Sequence, residues 1–77
     1  MEIIRDILKM ALDGKTKTKI VYDTKRNFRV FNRYAALLLR KQLLTEKKEN
    51  RQRLYKTTEK GKKVLTQIEE VLKSLEN

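Results

Sequence analysis

The chain has 77 residues, with twenty Lys and Arg against ten Asp and Glu, for a net charge of +10. That length allows one small domain whose core is marginal alone; with no Cys to form disulfides, association with a second copy is the usual remaining support. The absence of both His and Cys removes the usual zinc ligands and the commonest general base, and the positive balance favours a polyanionic partner.

The charge is unevenly placed. Residues 1–13 carry net −1, residues 14–34 net +6, residues 35–56 net +5, and residues 57–77 are balanced. The whole excess therefore lies mid-chain, as expected of a binding module held between two structural elements. The first residues mix Glu2, Arg5, Asp6 and Lys9 into their apolar run, which suits neither a signal peptide nor a membrane span and points to the cell interior.

The first helix is expected from Glu2 to Asp13. Ile4, Ile7, Leu8 and Ala11 form its buried stripe, widened by Ile3 and Leu12, and Gly14 suits the left-handed position that follows. Thr16 is the expected N-cap of a short second helix to about Thr24, with Ile20 and Val21 inward; Asn27 is that of a third, from Phe28 to Lys41. The short gap between these two helices has the spacing of a helix-turn-helix.

The third helix has two faces. Phe31, Tyr34, Ala35 and Leu38 repeat at helical spacing, with Phe28 one turn earlier, and are expected to be core rather than a stacking platform for single strands. The other face carries Arg29, Asn32, Arg33, Ala36 and Arg40 and no acid. After Gln42 the period changes to that of two strands, Leu43–Lys48 and Arg51–Thr57, with Leu44 and Tyr55 inward and Lys47, Lys48, Arg51 and Arg53 about the tip. Tyr22, like Tyr55, is expected to pack. Thr58 begins a last helix, in which Leu65, Ile68, Leu72 and Leu75 are spaced 3, 4, 3 as an a/d seam.

This order, three helices, a hairpin and a helix, is that of a winged helix-turn-helix, a mainly α fold with a small β-hairpin. Residues 1–57 are expected to form the winged helix-turn-helix core and 58–77 a C-terminal dimerisation helix of the same single domain. In that architecture the third helix enters the major groove of duplex DNA. Arg29, Asn32, Arg33 and Ala36 are then the candidates for base edges, since Arg pairs with guanine, Asn with adenine, and Ala meets a thymine methyl. Thr16, Lys17, Thr18, Lys19, Arg26 and Arg40 are candidates for phosphate contact, and so are the hairpin cations.

The run Gly14-Lys15-Thr16-Lys17-Thr18-Lys19-Ile20-Val21-Tyr22, then Asn27-Phe28, Tyr34, Leu37-Leu38, Leu54-Tyr55 and Thr58-Glu59-Lys60-Gly61-Lys62, resembles the winged helix-turn-helix proteins of Sulfolobus, its relatives and their viruses. The resemblance covers nearly the whole chain. It implies DNA binding, dimerisation through paired C-terminal helices, antiparallel in the best-known members, and a role in transcription or chromatin organisation. The chain departs from the pattern at Gln42, where Gly is usual, and at Thr57, where an apolar residue is common.

The leading expectation is a homodimeric transcriptional regulator of the cytoplasm, associated with the nucleoid. The alternatives are an architectural protein of low sequence preference, and an RNA-binding or protein-interaction module. An enzyme is not expected: there is no Gly-rich phosphate loop and no paired acids in the basic region, and the two Gly are accounted for by caps. No cofactor, metal or small-molecule effector is indicated.

Overall fold

The computed structural model describes residues 1–76. In chain order these form α1 (Glu2–Met10), β1 (Lys15–Thr16), α2 (Lys17–Thr24), α3 (Phe28–Arg40), β2 (Leu44–Glu49), β3 (Gln52–Thr57) and α4 (Glu59–Leu75). Three side chains start the helices, each accepting a backbone N–H that the helix itself leaves unpaired. Thr16 accepts from Lys19, Asn27 from Val30, and Thr58 from Gly61. All three are the caps expected from the sequence.

The helix ends are less regular. α1 stops at Met10 rather than Asp13, because the Ala11 carbonyl accepts from Gly14 N–H at 3.2 Å and from Thr57 N–H at 2.9 Å. Gly14, at φ +85°, then turns the chain into β1. That two-residue strand was not anticipated. It has no periodicity of its own and exists only because β3 pairs with it, Lys15 opposite Tyr55 and Thr16 opposite Leu54. The sheet is therefore three-stranded and antiparallel, in the order β1-β3-β2.

α3 ends in a Schellman pair, Leu43 N–H to Leu38 O and Gln42 N–H to Leu39 O, with Gln42 left-handed at φ +61°. This is why Gly is the easier residue at position 42. The Thr58 hydroxyl ties this corner to α4 by donating to the Gln42 carbonyl at 2.7 Å. Gly61 is not a cap. It lies in the first turn of α4, where an added Cβ would collide with the Leu43 carbonyl oxygen and stand 2.7 Å from Thr57 Cγ2.

One core gathers Ile7, Leu8 and Ala11 of the α1 region, Ile20 and Val21 of α2, Phe31, Ala35 and Leu38 of α3, Leu44 and Tyr55 of the hairpin, and Leu65 of α4. Phe31 and Tyr55 meet edge to face, with ring centroids 5.4 Å apart and planes at 82°. Thr57 is the one polar residue buried with them among the described residues, and its hydroxyl donates to the Leu8 carbonyl at 2.6 Å. A Thr in this otherwise apolar place thus satisfies a carbonyl that the short α1 leaves open.

Two aromatic expectations are corrected. Phe28 does not extend the buried face of α3: it is 48% exposed, at a helix start that overhangs the core, with Lys17 Nζ 5.7 Å from its ring centroid. Tyr22 does not pack either, and is 79% exposed. Among the described residues, no helix is long and apolar enough to cross a membrane.

Candidate nucleic-acid interface

The buried stripe of α3 leaves Arg29, Asn32, Arg33, Ala36 and Arg40 exposed on its other side. None of the ion pairs among the described residues involves Arg29, Arg33 or Arg40. The helix thus presents three cations and one amide with no acid paired to them among the described residues, and Ala36 keeps the row low enough for a flat surface to approach.

At the start of α2, Thr16 uses its hydroxyl as the N-cap and its backbone in the sheet. Thr18 and Lys19 are exposed, and Lys19 Nζ lies 3.4 Å from Asp23 one turn on. Lys17 is half-buried. Its ammonium sits over two rings of α3, 5.7 Å from the centroid of Phe28 and 6.0 Å from that of Phe31, within cation–π range. Those contacts hold the start of α2 beside the first turn of α3.

Arg26 is differently employed from what the sequence suggested. Its guanidinium donates to Asp6 Oδ2 at 3.1 Å, while Arg5 donates to Asp6 Oδ1 at 2.9 Å. The Arg26 Nε is buried and unpaired. Arg26 therefore anchors the α2–α3 turn to α1, with its guanidinium engaged by Asp6 rather than standing free for the phosphate contact expected from the sequence. No local pattern signalled this, because Asp6 is twenty residues away in the chain.

The hairpin cations divide by face. Leu44, Glu46 and Lys48 alternate on the core side of β2, and Thr57, Tyr55 and Arg53 face them as direct partners on β3. Lys48 and Arg53 therefore continue the inner face beyond the core, opposite one another. Together with Arg51, Lys17 and the buried Tyr55 they surround a concavity of about 390 Å³. Lys47 belongs to the other face and lies 3.7 Å from Glu49. Glu46 is the acid of the inner face, 3.7 Å from Arg53. Burial, and secondarily the charge of Glu46, raises the Tyr55 phenol above its ordinary pKa. The period-two alternation starting at Leu44 and Tyr55 carried this division in the sequence; the part played by Lys17 did not show there.

The proposed seam of α4 is also divided. Leu65 and Ile68 are buried within the chain's own fold, at 6% and 8% exposure, so they are not open to a second copy as expected from the sequence. Their 3, 4, 3 spacing marks one apolar stripe whose first half covers α1 and the core. Beyond Ile68 the stripe emerges: Val71 is 44% and Leu75 76% exposed, and Leu72 lines a groove with Met1, Glu2, Ile3 and Arg26.

A family model described as winged helix-turn-helix matches residues 1–76. The chain belongs to the winged helix-turn-helix family. Among solved structures this winged-helix chain is similar to Sso10a-2, described as a DNA-binding protein from Sulfolobus solfataricus. The two share 37% identity and superpose with a TM-score of 0.92, over 99% of this chain and 80% of the other. Among curated proteins none matches. The winged helix and the archaeal relationship expected from the sequence are both met. Within the family's terms the β2–β3 hairpin is the wing, and α2 and α3 are the helix-turn-helix.

Proposed function

We propose that this protein binds double-stranded DNA as a homodimer and acts as a transcriptional regulator, with α3 in the major groove. The observation that carries the reading is the unneutralised row Arg29, Asn32, Arg33, Ala36 and Arg40 on a helix whose opposite face is locked into the core. The groove is wide enough to admit an α-helix, and this row supplies the donors that read guanine and adenine edges. Arg40 lies at the far end of the helix, where a phosphate is the natural partner. The exposed Thr18 and Lys19 beside the Thr16 cap, and the inner wing cations, flank that helix and suit the backbone on either side. The DNA-binding character of the similar Sulfolobus protein supports the same reading.

Dimerisation is proposed through the emergent end of α4, with Val71, Leu72 and Leu75 as the contact and Met1 and Ile3 beside it. Two base-reading helices per particle then address two half-sites.

The deciding experiment is selection of a preferred duplex from a random pool, followed by gel shifts of Arg33→Ala on the selected site and on random DNA. Loss of a bidentate base contact costs about 1–3 kcal/mol on the selected site, roughly five- to 150-fold, with a smaller loss on random DNA. Equal losses on both would remove base reading. They would favour an architectural role instead, to which the +10 charge and the cation-rich wing lend themselves; continuous rather than localised footprints would then follow.

A further inference from the structure

Two departures from the rules of a stable hairpin meet at one place in this molecule. Lys48 and Arg53 are direct cross-strand partners on the inner face, where like charges repel and an acid opposite a base would be favourable. Beside them, Asn50 and Arg51 form the two-residue turn with φ of +49° and +66°. Positive φ at both positions is the pattern of a type I′ turn, in which the second residue is characteristically Gly. An Arg there accepts backbone strain that Gly avoids. Both departures place a cation on the same concavity, and Lys17 closes it from α2, held by the rings of Phe28 and Phe31. Local rules broken together are expected at functional or strained sites, and here they gather cations at one concavity.

The concavity holds about 390 Å³, within the range of small-ligand pockets (roughly 300–1,000 Å³) and ample for several linked phosphates. Four cations line it. The acid facing them is Glu46, which lies 3.7 Å from Arg53 and leaves Lys17, Lys48 and Arg51 uncompensated by any ion pair among the described residues. Two Arg forks and two ammonium groups lining one concavity match a chain of phosphate oxygens, whereas a single duplex backbone presents its charges spread along a line.

We infer that the pocket between the wing and the start of α2 is a binding site for a free oligophosphate anion. Occupying it displaces the wing from duplex DNA. The site stands on the cation geometry alone; only the displacement rests on the duplex-binding reading above.

The test is calorimetric titration of the full chain with sodium tripolyphosphate at fixed ionic strength. The expected result is saturable binding, one anion per chain, weakened at least tenfold by Lys48→Ala and by Arg51→Gly. Gly adopts φ +66° freely, so Arg51→Gly removes the charge while the turn is kept, and its unfolding midpoint is expected to be no lower than that of the parent chain. Lys63→Ala removes the same charge from α4, outside the pocket, and is expected to leave the affinity within twofold. Non-saturable uptake, or an equal loss in Lys63→Ala, overturns the site and shows general charge attraction. In a second arm, tripolyphosphate releases bound duplex at concentrations where chloride of matched ionic strength does not. Equal release by both salts overturns displacement while leaving the pocket standing. Absence of duplex binding before any anion is added is a failure of the duplex reading, seen independently of the calorimetry.

Discussion

Arg26 and Asp6 stand 3.1 Å apart across twenty residues of chain, and through them the turn of the helix-turn-helix is fastened to α1. Asp6 also accepts from Arg5, so one carboxylate serves two guanidinium groups, each about one-third exposed. Removing Arg26 should therefore act on stability before it acts on binding. Arg26→Ala is expected to cost about 1 kcal/mol, near the upper end for partly exposed pairs, with no change in the salt dependence of duplex binding. Chemical denaturation and salt-dependent gel shifts check the two halves. A salt slope lowered by about one unit would restore Arg26 as a phosphate contact.

The corner joining α3, β2 and α4 gives opposite outcomes for two neighbouring glycine exchanges. Gln42→Gly relieves a left-handed side chain and is expected to stabilise by about 0.5–1 kcal/mol, the αL penalty less the added freedom of the unfolded chain. Gly61→Ala drives a Cβ into the Leu43 carbonyl, which is backbone and has little room to move. It is expected to cost about 1–3 kcal/mol or more. Thermal melts of the two variants should move in opposite directions.

Thr57→Val keeps the shape of a buried residue but removes the hydroxyl that reaches Leu8. The Leu8 carbonyl is then left buried without that donor, and a loss of about 1–3 kcal/mol is expected. If Val is tolerated without loss, the hydrogen bond is not what selects Thr at this position.

Glu46 moderates the wing. Its pair with Arg53 is exposed, so its worth is small, about 0.2–1 kcal/mol. Glu46→Gln frees Arg53 and removes a charge that repels phosphate. Duplex affinity should rise about two- to fivefold on selected and random DNA alike, which fluorescence anisotropy would detect.

The division of α4 lets folding be tested apart from the proposed association. Leu75→Asp and Val71→Asp place a charge on the exposed half and are expected to give a monomer by sedimentation with an unchanged melting profile at low protein concentration. Leu65→Ala removes a core side chain and is expected to cost about 2–5 kcal/mol, enough to unfold much of so small a domain. A dimer that survives both Asp substitutions would place the contact elsewhere.

Tyr55 supplies a pH test. Its pKa is raised by burial, so the folded state favours the neutral phenol. For a group whose folded pKa lies above its unfolded value, the stabilisation is complete below the unfolded pKa, near 10, and is lost as pH rises through the folded one. The stability of the parent chain relative to Tyr55→Phe is therefore expected to be constant from pH 7 to about 9 and to fall above about pH 10. A difference that stays constant to pH 11 would show that the phenol is not desolvated.

Much of this protein was settled by residues a few positions apart. Thr16, Asn27 and Thr58 cap helices because their hydroxyl or amide oxygens reach an N–H three residues on, wherever the helix later packs. The buried face of α3 and its Arg/Asn opposite follow from a 3.6-residue period, and the inner wing residues from a period of two. The mid-chain charge needed only counting. Tertiary structure decided what depends on partners distant in sequence. It made Lys15 and Thr16 a strand by offering β3, turned Arg26 inward to Asp6, and brought Lys17 to the wing. It also divided the Leu65–Leu75 stripe between the core and the surface. A heptad spacing states which residues share a helix face, but not how far along that face the rest of the protein reaches; here α1 and the core cover it through Ile68, and Val71 and Leu75 beyond it stay exposed.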